Sequence, residues 1–190
     1  MGLHSPVEPG RQAVLELSAY PRNREHFARL LAFTGEIVSV CEALGIEPVA
    51  SGSLVVLLYT KDESLDVNDI DLSTSEANFS RLLAAIEARG IPASITAWRV
   101  LQARRGDLKV EFDSSERWLY DLPQEDAIAQ IGDLRLKVVG RESLVELYRR
   151  GLQATAGNDD ATTAAKHQSI RDKFTRLTTT AAPPAAPRTS

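Results

Sequence analysis

The sequence predicts an α+β domain with a small mixed β-sheet core, flanking helices and a helical C-terminal part. Residues 21–45 carry apolar side chains at helical spacing, while LKVEF and LRLKVVG alternate polar with apolar residues, as strands do. Two further helical segments, RESLVELYRRGLQATA and ATTAAKHQSIRDKFTRL, complete the pattern. The length of 190 residues favours one domain, with or without a small helical annex.

The elements follow in the order helix, strand, acidic strand, helix, two or three strands, and then helices. AVLEL near the N-terminus predicts a short helical turn, and IEPVA predicts a short strand. SEANFSRLLAAIEARG predicts a helix with Ser75 as its N-cap and Gly90 at its end. SITAWRVLQ and LKVEFD are predicted to pair across the turn at residues 105–107, and PQEDAIAQIG to form a short helix.

Four segments are predicted along the chain. They are an N-terminal extension (residues 1–20), a core (21–140), a pair of C-terminal helices (141–178) and a tail (179–190). The tail is rich in Ala, Pro and Thr, a composition that predicts disorder because it cannot bury enough apolar surface.

Composition limits the class of protein. A net charge of −4 and 43% hydrophobic residues are ordinary for a globular protein. One cysteine, Cys41, excludes an internal disulfide, and neither a long apolar run nor a signal-peptide pattern is present, so we expect a cytoplasmic protein without membrane contact. Residues 1–130 are net acidic and residues 131–190 net basic. That asymmetry suits a metal site facing a phosphate-binding surface, although two solvated faces would also explain it.

Two aspartates lie one residue apart in VNDIDLST. Side chains alternate along a strand, so Asp69 and Asp71 are expected on one face. Neighbouring carboxylates repel each other unless a cation lies between them, and Mg²⁺ prefers such oxygen ligands. The alternative is that Asp69 belongs to a turn and only Asp71 to the strand.

Gly52-Ser53 and a second acidic strand complete the candidate site. Gly52 and Ser53 follow a short strand, where free backbone N–H groups and a hydroxyl can bind phosphate. Glu111 and Asp113 in LKVEFD share one strand face, and either could add a third carboxylate that binds metal or takes a proton.

In combination these motifs resemble the DNA polymerase β-type nucleotidyltransferase superfamily. Its pattern is Gly-Ser, a spacer, two aspartates alternating with apolar residues, and a later acidic residue. The resemblance implies that LVVLLYT, which by itself suggests a strand, is a helix. It also implies Mg²⁺-dependent transfer of a nucleoside monophosphate from a nucleoside triphosphate to an acceptor hydroxyl. Asp69, Asp71 and Glu111 would bind the metal, with Asp113 possible in place of Glu111.

The C-terminal helices are similar to those of AbiEii-like toxins and small antibiotic nucleotidyltransferases. Basic residues on these helices are candidates for contacting the triphosphate or a nucleic-acid acceptor, and a solvated basic helix is the alternative. They are Lys166, His167, Arg171 and Lys173, of which Lys166 is the expected nucleotide-binding residue. AbiEii-like proteins carry an arginine shortly before the aspartates, and Lys61, somewhat further away, is the basic residue of that region here. The resemblance therefore makes Lys61 a candidate for nucleotide binding. The implied acceptor is an RNA end, a protein or a small molecule, and an antitoxin or another protein is a possible partner.

Two other functions remain open from the sequence. The chain could be a binding module that keeps this fold without catalysis and acts through a protein partner. It could also be a metal-dependent phosphohydrolase, which would not need Gly52-Ser53. Trp98 and Trp118 are candidates for stacking on a base, although isolated tryptophans more often belong to the core.

Overall fold

The structure is a computed structural model that describes residues 13–119, 121–122, 127–156 and 161–180. Six α-helices and eight strands are found in these ranges. The strands are β1 (Val14–Glu16), β2 (Val49–Ser51), β3 (Ile70–Thr74), β4 (Ala93–Ile95), β5 (Leu101–Arg105), β6 (Leu108–Ser114), β7 (Ala127–Ile131) and β8 (Leu134–Val138). The helices are α1 (Arg24–Ala43), α2 (Gly52–Thr60), α3 (Phe79–Glu87), α4 (Ser115–Trp118), α5 (Arg141–Thr155) and α6 (Ala161–Thr179), with a 3₁₀ turn at Glu76–Asn78.

All eight strands form one mixed sheet in the order β1-β7-β8-β2-β3-β6-β5-β4. The central strand β3 runs parallel to β6 and antiparallel to β2. β5 and β6 form the predicted hairpin, in which Arg105 pairs with Leu108. The α+β class with a mixed sheet is therefore confirmed, although the sheet is larger than the sequence predicts.

Three local predictions are wrong. AVLEL is not a helical turn, because Val14–Glu16 pairs with β7 as an edge strand. In PQEDAIAQIG, residues 123–126 lie outside the described residues and Ala127–Ile131 is a strand, since its pairing with β1 and β8 outweighs local helix propensity. SITAWRVLQ is not one strand, because a turn in which Arg99 has φ 59° separates β4 from β5.

The segment after Gly52-Ser53 is the helix α2, as the resemblance implied. Its residues from Ser53 to Tyr59 are all buried, so an apolar sequence suits it as well as it would suit a buried strand. The helix packs against β2, β3 and α6. This burial fixes the N-terminus of α2 next to the acidic strand β3.

The last two helices pack against each other, and α6 also packs against α2. Gly151 permits a close approach, because a Cβ there would lie 3.3 Å from Ile170 Cδ1. Arg141 on α5 donates hydrogen bonds to the Leu177 and Thr180 carbonyls at the end of α6. None of the described helices combines the length and the apolar character that a membrane span requires. The predicted disordered tail lies outside the described residues from position 181 onward.

Candidate active site

A row of polar side chains crosses the central strands on one face of the sheet. Asp71 in β3 is the Cα partner of Glu111 in β6 and of Ser51 in β2. On the far side of Glu111, its partner in β5 is Gln102. In β6 the residues Lys109, Glu111 and Asp113 are half-buried and alternate with fully buried apolar residues, so the polar residues share one face.

Three carboxylates converge at this row. One oxygen atom from each of Asp69, Asp71 and Glu111 lies within 4.8 Å of the other two. Asp69 occupies the bend just before β3, so only Asp71 is in the strand, as the alternative interpretation held. The bend still keeps both aspartates on the same side of the sheet. Among the described residues, Asp113 does not belong to this cluster.

Lys109 lies between two of the carboxylates. Its Nζ is 2.8 Å from Asp69 Oδ2 and 3.2 Å from Glu111 Oε1. Burial opposes its charge, but the hydrogen bonds and charges of Asp69 and Glu111 outweigh burial and raise the pKa of Lys109. The amide of Gln102 also donates a hydrogen bond to Glu111 Oε1. Glu111 is therefore held in place from two sides.

Asp71 is the most perturbed carboxyl of the cluster. Burial, and then the charges of Asp69 and Glu111, raise its pKa to about 7 against the opposing influence of Lys173 and Lys109. A raised pKa of this kind marks a site where like charges are kept together without full compensation. A divalent cation would provide the missing positive charge.

Gly52 lets the Asp71 carboxylate approach the start of α2. Its φ is +70°, and a Cβ there would lie 1.8 Å from Asp71 Oδ2. No side chain can occupy that space. The glycine of the Gly-Ser pair is thus required both by its own backbone conformation and by contact with the acidic strand.

Two cavities meet at the carboxylates. A polar cavity of about 730 Å³ contains Ser53 and Asp69, and a mostly apolar cavity of about 230 Å³ contains Gly52, Asp71 and Glu111. Lys173 of α6 lines both. The carboxylate cluster therefore lies between a space suited to phosphate groups and a space suited to an organic group.

The apolar cavity has two charged residues away from the cluster. Asp113 lies there near Lys166, and the side chain of Trp118 hydrogen-bonds Asp113. Burial raises the pKa of Asp113 even though Trp118 and Arg117 favour its charged form. Asp113 and Lys166 are placed to contact a ligand in this cavity rather than the carboxylate cluster.

Four residues predicted from the sequence line neither cavity: Trp98, His167, Arg171 and Lys61. Trp98 is 82% exposed, and His167 hydrogen-bonds Thr155. Lys61 lies at the C-terminal end of α2. It follows the last residue of α2 in the left-handed conformation, whereas Ser53 is at the other end of that nine-residue helix. At 1.5 Å per residue the helix separates the two by about 12 Å. Lys61 is not among the residues lining either cavity, so its placement does not support a role in nucleotide binding.

The structure adds three residues that the sequence prediction did not place at the site. Lys109 and Gln102 contact Glu111, and Tyr148 on α5 lines the apolar cavity. The strand alternation of LKVEF could have placed Lys109 on the face of Glu111. Gln102 and Tyr148 depend on strand pairing and helix packing, which have no local signal.

The cluster fits a divalent cation. Three oxygen donors converge, Asp69 and Glu111 attract Lys109, and the like charges of its neighbours together with burial raise the pKa of Asp71. Hard oxygen donors of this type suit Mg²⁺ better than the softer metals that prefer Cys and His.

Comparison with solved structures shows that this is the nucleotidyltransferase fold. A solution structure of the antibiotic-resistance factor ANT(2'')-Ia superposes with a TM-score of 0.53 at 14% identity, over 80% of this chain and 90% of that one. A nucleotidyltransferase-like protein from Paracoccidioides brasiliensis gives 0.50 at 14% identity, over 76% and 74%. A crystal structure of ANT(2'')-Ia with adenylyl-2''-tobramycin gives 0.50 at 13% identity, over 79% and 94%.

No protein-family model matches the chain, and no curated protein matches it in sequence. The likeness is therefore one of fold. It confirms the nucleotidyltransferase fold that the motifs predicted.

Proposed function

We propose that the protein is a Mg²⁺-dependent nucleotidyltransferase that moves a nucleoside monophosphate from a nucleoside triphosphate to an acceptor hydroxyl. The observation that carries this proposal is the position of the Asp69, Asp71 and Glu111 cluster between the polar and the apolar cavity. In metal-assisted phosphoryl transfer the cation stabilises both the attacking and the leaving oxygen, so a cluster that borders both spaces suits this reaction.

The N-terminus of α2 binds the triphosphate. Its first backbone N–H groups, at Gly52 and Ser53, have no partner within the helix and carry the positive end of the helix dipole. Ser53 adds a hydroxyl in the polar cavity, and Lys173 adds a positive charge at the junction of the two cavities.

The carboxylates have separate tasks. Asp69, Asp71 and Glu111 hold the metal, and bound Mg²⁺ would neutralise the charge that develops on the phosphate oxygens. Glu111, fixed by Lys109 and Gln102, is the third carboxylate that the geometry favours over Asp113 for accepting the acceptor hydroxyl proton. The bond from the acceptor oxygen to the α-phosphorus forms as the bond to pyrophosphate breaks.

A small molecule is the acceptor that the apolar cavity favours. The cavity of about 230 Å³ is bordered by Trp118 and Tyr148, and the ionisable residues Asp113 and Lys166 also line it. The presence of adenylyl-2''-tobramycin in ANT(2'')-Ia supports a small-molecule acceptor for this fold. An RNA end or a protein side chain as acceptor remains a prediction from the sequence resemblance. The same holds for a toxin role and for an antitoxin partner.

The test combines binding with turnover. Thermal unfolding with Mg²⁺ and each of the four nucleoside triphosphates is measured for wild type and for the double variant Asp69→Ala/Asp71→Ala. A ligand that binds only the folded state raises the unfolding midpoint. We expect a rise for wild type that the double variant loses.

Label transfer then identifies the acceptor. Each α-labelled triphosphate is incubated with Mg²⁺ and, separately, with RNA, protein and hydroxyl-bearing small molecules, and pyrophosphate release is followed. Transfer to one acceptor class supports the proposal and names the substrate. Nucleotide binding without transfer or pyrophosphate release would favour the non-catalytic binding module, and hydrolysis without transfer would favour the phosphohydrolase.

A further inference from the structure

Tyr148 lines the apolar cavity, and its hydroxyl is buried without a hydrogen-bond partner among the described residues. Buried hydroxyl groups almost always find a partner, since leaving one unpaired lowers the stability of the folded state. Tyr59 shows the usual arrangement, because its hydroxyl donates to the Val139 carbonyl at 3.1 Å. Tyr148 therefore presents a donor whose partner is not supplied by the described part of the chain.

The hydroxyl of Tyr148 is close enough to the carboxylate cluster to be influenced by its charges. Burial, and then the charges of Asp71 and Asp69, raise the pKa of Tyr148. The phenol thus stays protonated and can act as a hydrogen-bond donor. Gly52 and Lys173 line the same cavity, so the donor shares its space with groups that favour an anion.

We propose that Tyr148 is a nucleotide-contacting residue, whose hydroxyl donates a hydrogen bond to an α-phosphate oxygen of the nucleoside triphosphate. The α-phosphate is the group that must border the acceptor in the apolar cavity, because the acceptor hydroxyl attacks it. The proposal rests on the proposed function. Carboxylates repel a nucleotide oxygen unless cations and donors surround it, and Tyr148 on α5 provides a neutral donor in the cavity that Asp71 and Glu111 also line. Helix α5 then has a part in substrate binding besides packing against α6.

The experiment compares Tyr148→Phe with wild type and with Tyr59→Phe as a matched control. For each protein, the unfolding midpoint without ligand is measured in EDTA. The dissociation constant of a non-hydrolysable nucleoside triphosphate analogue is measured with Mg²⁺ by calorimetry. Both variants remove one buried phenolic oxygen, but only Tyr148 lines the cavity.

Opposite effects are expected from the two variants. Tyr148→Phe should keep or raise the unfolding midpoint, because it removes an unpaired buried group, and should weaken nucleotide binding about tenfold. Tyr59→Phe should lower the midpoint and leave nucleotide affinity unchanged. A tyrosine with a purely structural role would not combine an unchanged or higher unfolding midpoint with weaker nucleotide binding.

Other outcomes overturn the proposal in different ways. If Tyr148→Phe binds the analogue as tightly as wild type does, Tyr148 does not contact the nucleotide and the proposed function is unaffected. If its midpoint falls like that of Tyr59→Phe, its hydroxyl has a structural partner. If wild type does not bind any of the four triphosphates, the proposed function fails together with this inference.

Discussion

Asp71 and Glu111 are directly paired across the parallel strands β3 and β6, although α3, β4 and β5 lie between them in sequence. This pairing places two carboxylates side by side on one face of the sheet, and the bend before β3 adds the carboxylate of Asp69. The structure thus keeps three like charges together beside Lys109, an arrangement that a divalent cation would stabilise.

Asp71→Asn should raise the stability of the metal-free protein and lower its nucleotidyl transfer activity. The variant removes one charge from the cluster, so in EDTA at pH 8 its unfolding midpoint should exceed that of wild type. Loss of a metal ligand should also abolish the rise in midpoint that Mg²⁺ with nucleotide produces. Nucleotidyl transfer should fall by more than about 100-fold. Loss of a residue that only orients a metal ligand costs up to about 100-fold, and loss of a ligand itself should cost more.

The pH dependence of this effect follows from the raised pKa of Asp71. Its ordinary value is 3.8 and its folded value is about 7, so between these pH values the folded state holds more protons than the unfolded state. Wild-type stability in EDTA should therefore decrease as pH rises through this window. The midpoint difference in favour of Asp71→Asn should be absent near pH 4 and complete above about pH 7. A difference that does not vary with pH would contradict the prediction.

Gly52→Ala should disrupt the site through its contact with Asp71. Gly90→Ala is the matched control, since Gly90 has nearly the same φ of +71° but nothing within 4 Å of an added Cβ. The control should cost about 1–2 kcal/mol, the penalty of a left-handed backbone conformation. Gly52→Ala should cost more, because its Cβ would lie 1.8 Å from Asp71 Oδ2. Denaturant unfolding of both variants measures the loss in free energy of unfolding. Equal losses would show that the contact with Asp71 does not add to the cost of the substitution.

Lys109→Met should make the protein more dependent on metal. Lys109 compensates part of the charge of Asp69 and Glu111, and it occupies the space between them. We expect a lower unfolding midpoint in EDTA and a larger rise with Mg²⁺ than in wild type. Calorimetric titration with Mg²⁺ should show tighter binding, because no cation has to be displaced. Weaker Mg²⁺ binding by the variant would show that Lys109 supports the metal site instead of competing with the metal.

Lys173→Met should weaken triphosphate binding more than Lys61→Met does. Lys173 lines both cavities and acts on Asp71 electrostatically, whereas Lys61 lies at the far end of α2. A charge-assisted hydrogen bond to phosphate corresponds to roughly a 10- to 100-fold change in the dissociation constant. Lys61→Met should leave the constant within about twofold of wild type. A comparable loss in Lys61→Met would restore the role that the sequence resemblance implied for Lys61.

Glu116→Gln should lower the unfolding midpoint at neutral pH and have a smaller effect at low pH. The carboxylate of Glu116 accepts hydrogen bonds from Ser75, Ser114 and the backbone N–H of Glu76, and these lower its pKa from 4.5 to about 2. A lowered carboxyl pKa gives stability that is present above pH 4.5 and lost as pH falls toward 2. The midpoint difference between wild type and variant should therefore be largest near neutral pH and shrink at pH 3. Glu87→Gln, an exposed glutamate at the end of α3, serves as the control for a surface substitution.

Much of the fold and the site was predictable from local signals. Strand alternation places Glu111 and Asp113 on one face, the helical spacing of residues 21–45 predicts α1, and Gly52-Ser53 with two aspartates predicts a phosphate and metal site. These signals are local because the residues concerned are neighbours in sequence. The same local signals fail for Ala127–Ile131, whose strand exists through its pairing with β1 and β8.

The sequence by itself determined which residue types could form the site. The tertiary structure decided which of them meet. Glu111 and not Asp113 joins the aspartates, because the register of β3 against β6 pairs Asp71 with Glu111. Lys173 lines the cavities because α6 packs against α2. Lys61 does not line them, because it lies at the C-terminal end of α2 and the carboxylates lie near its N-terminal end. Register and helix packing arise from contacts between distant segments, and no short stretch of sequence encodes them.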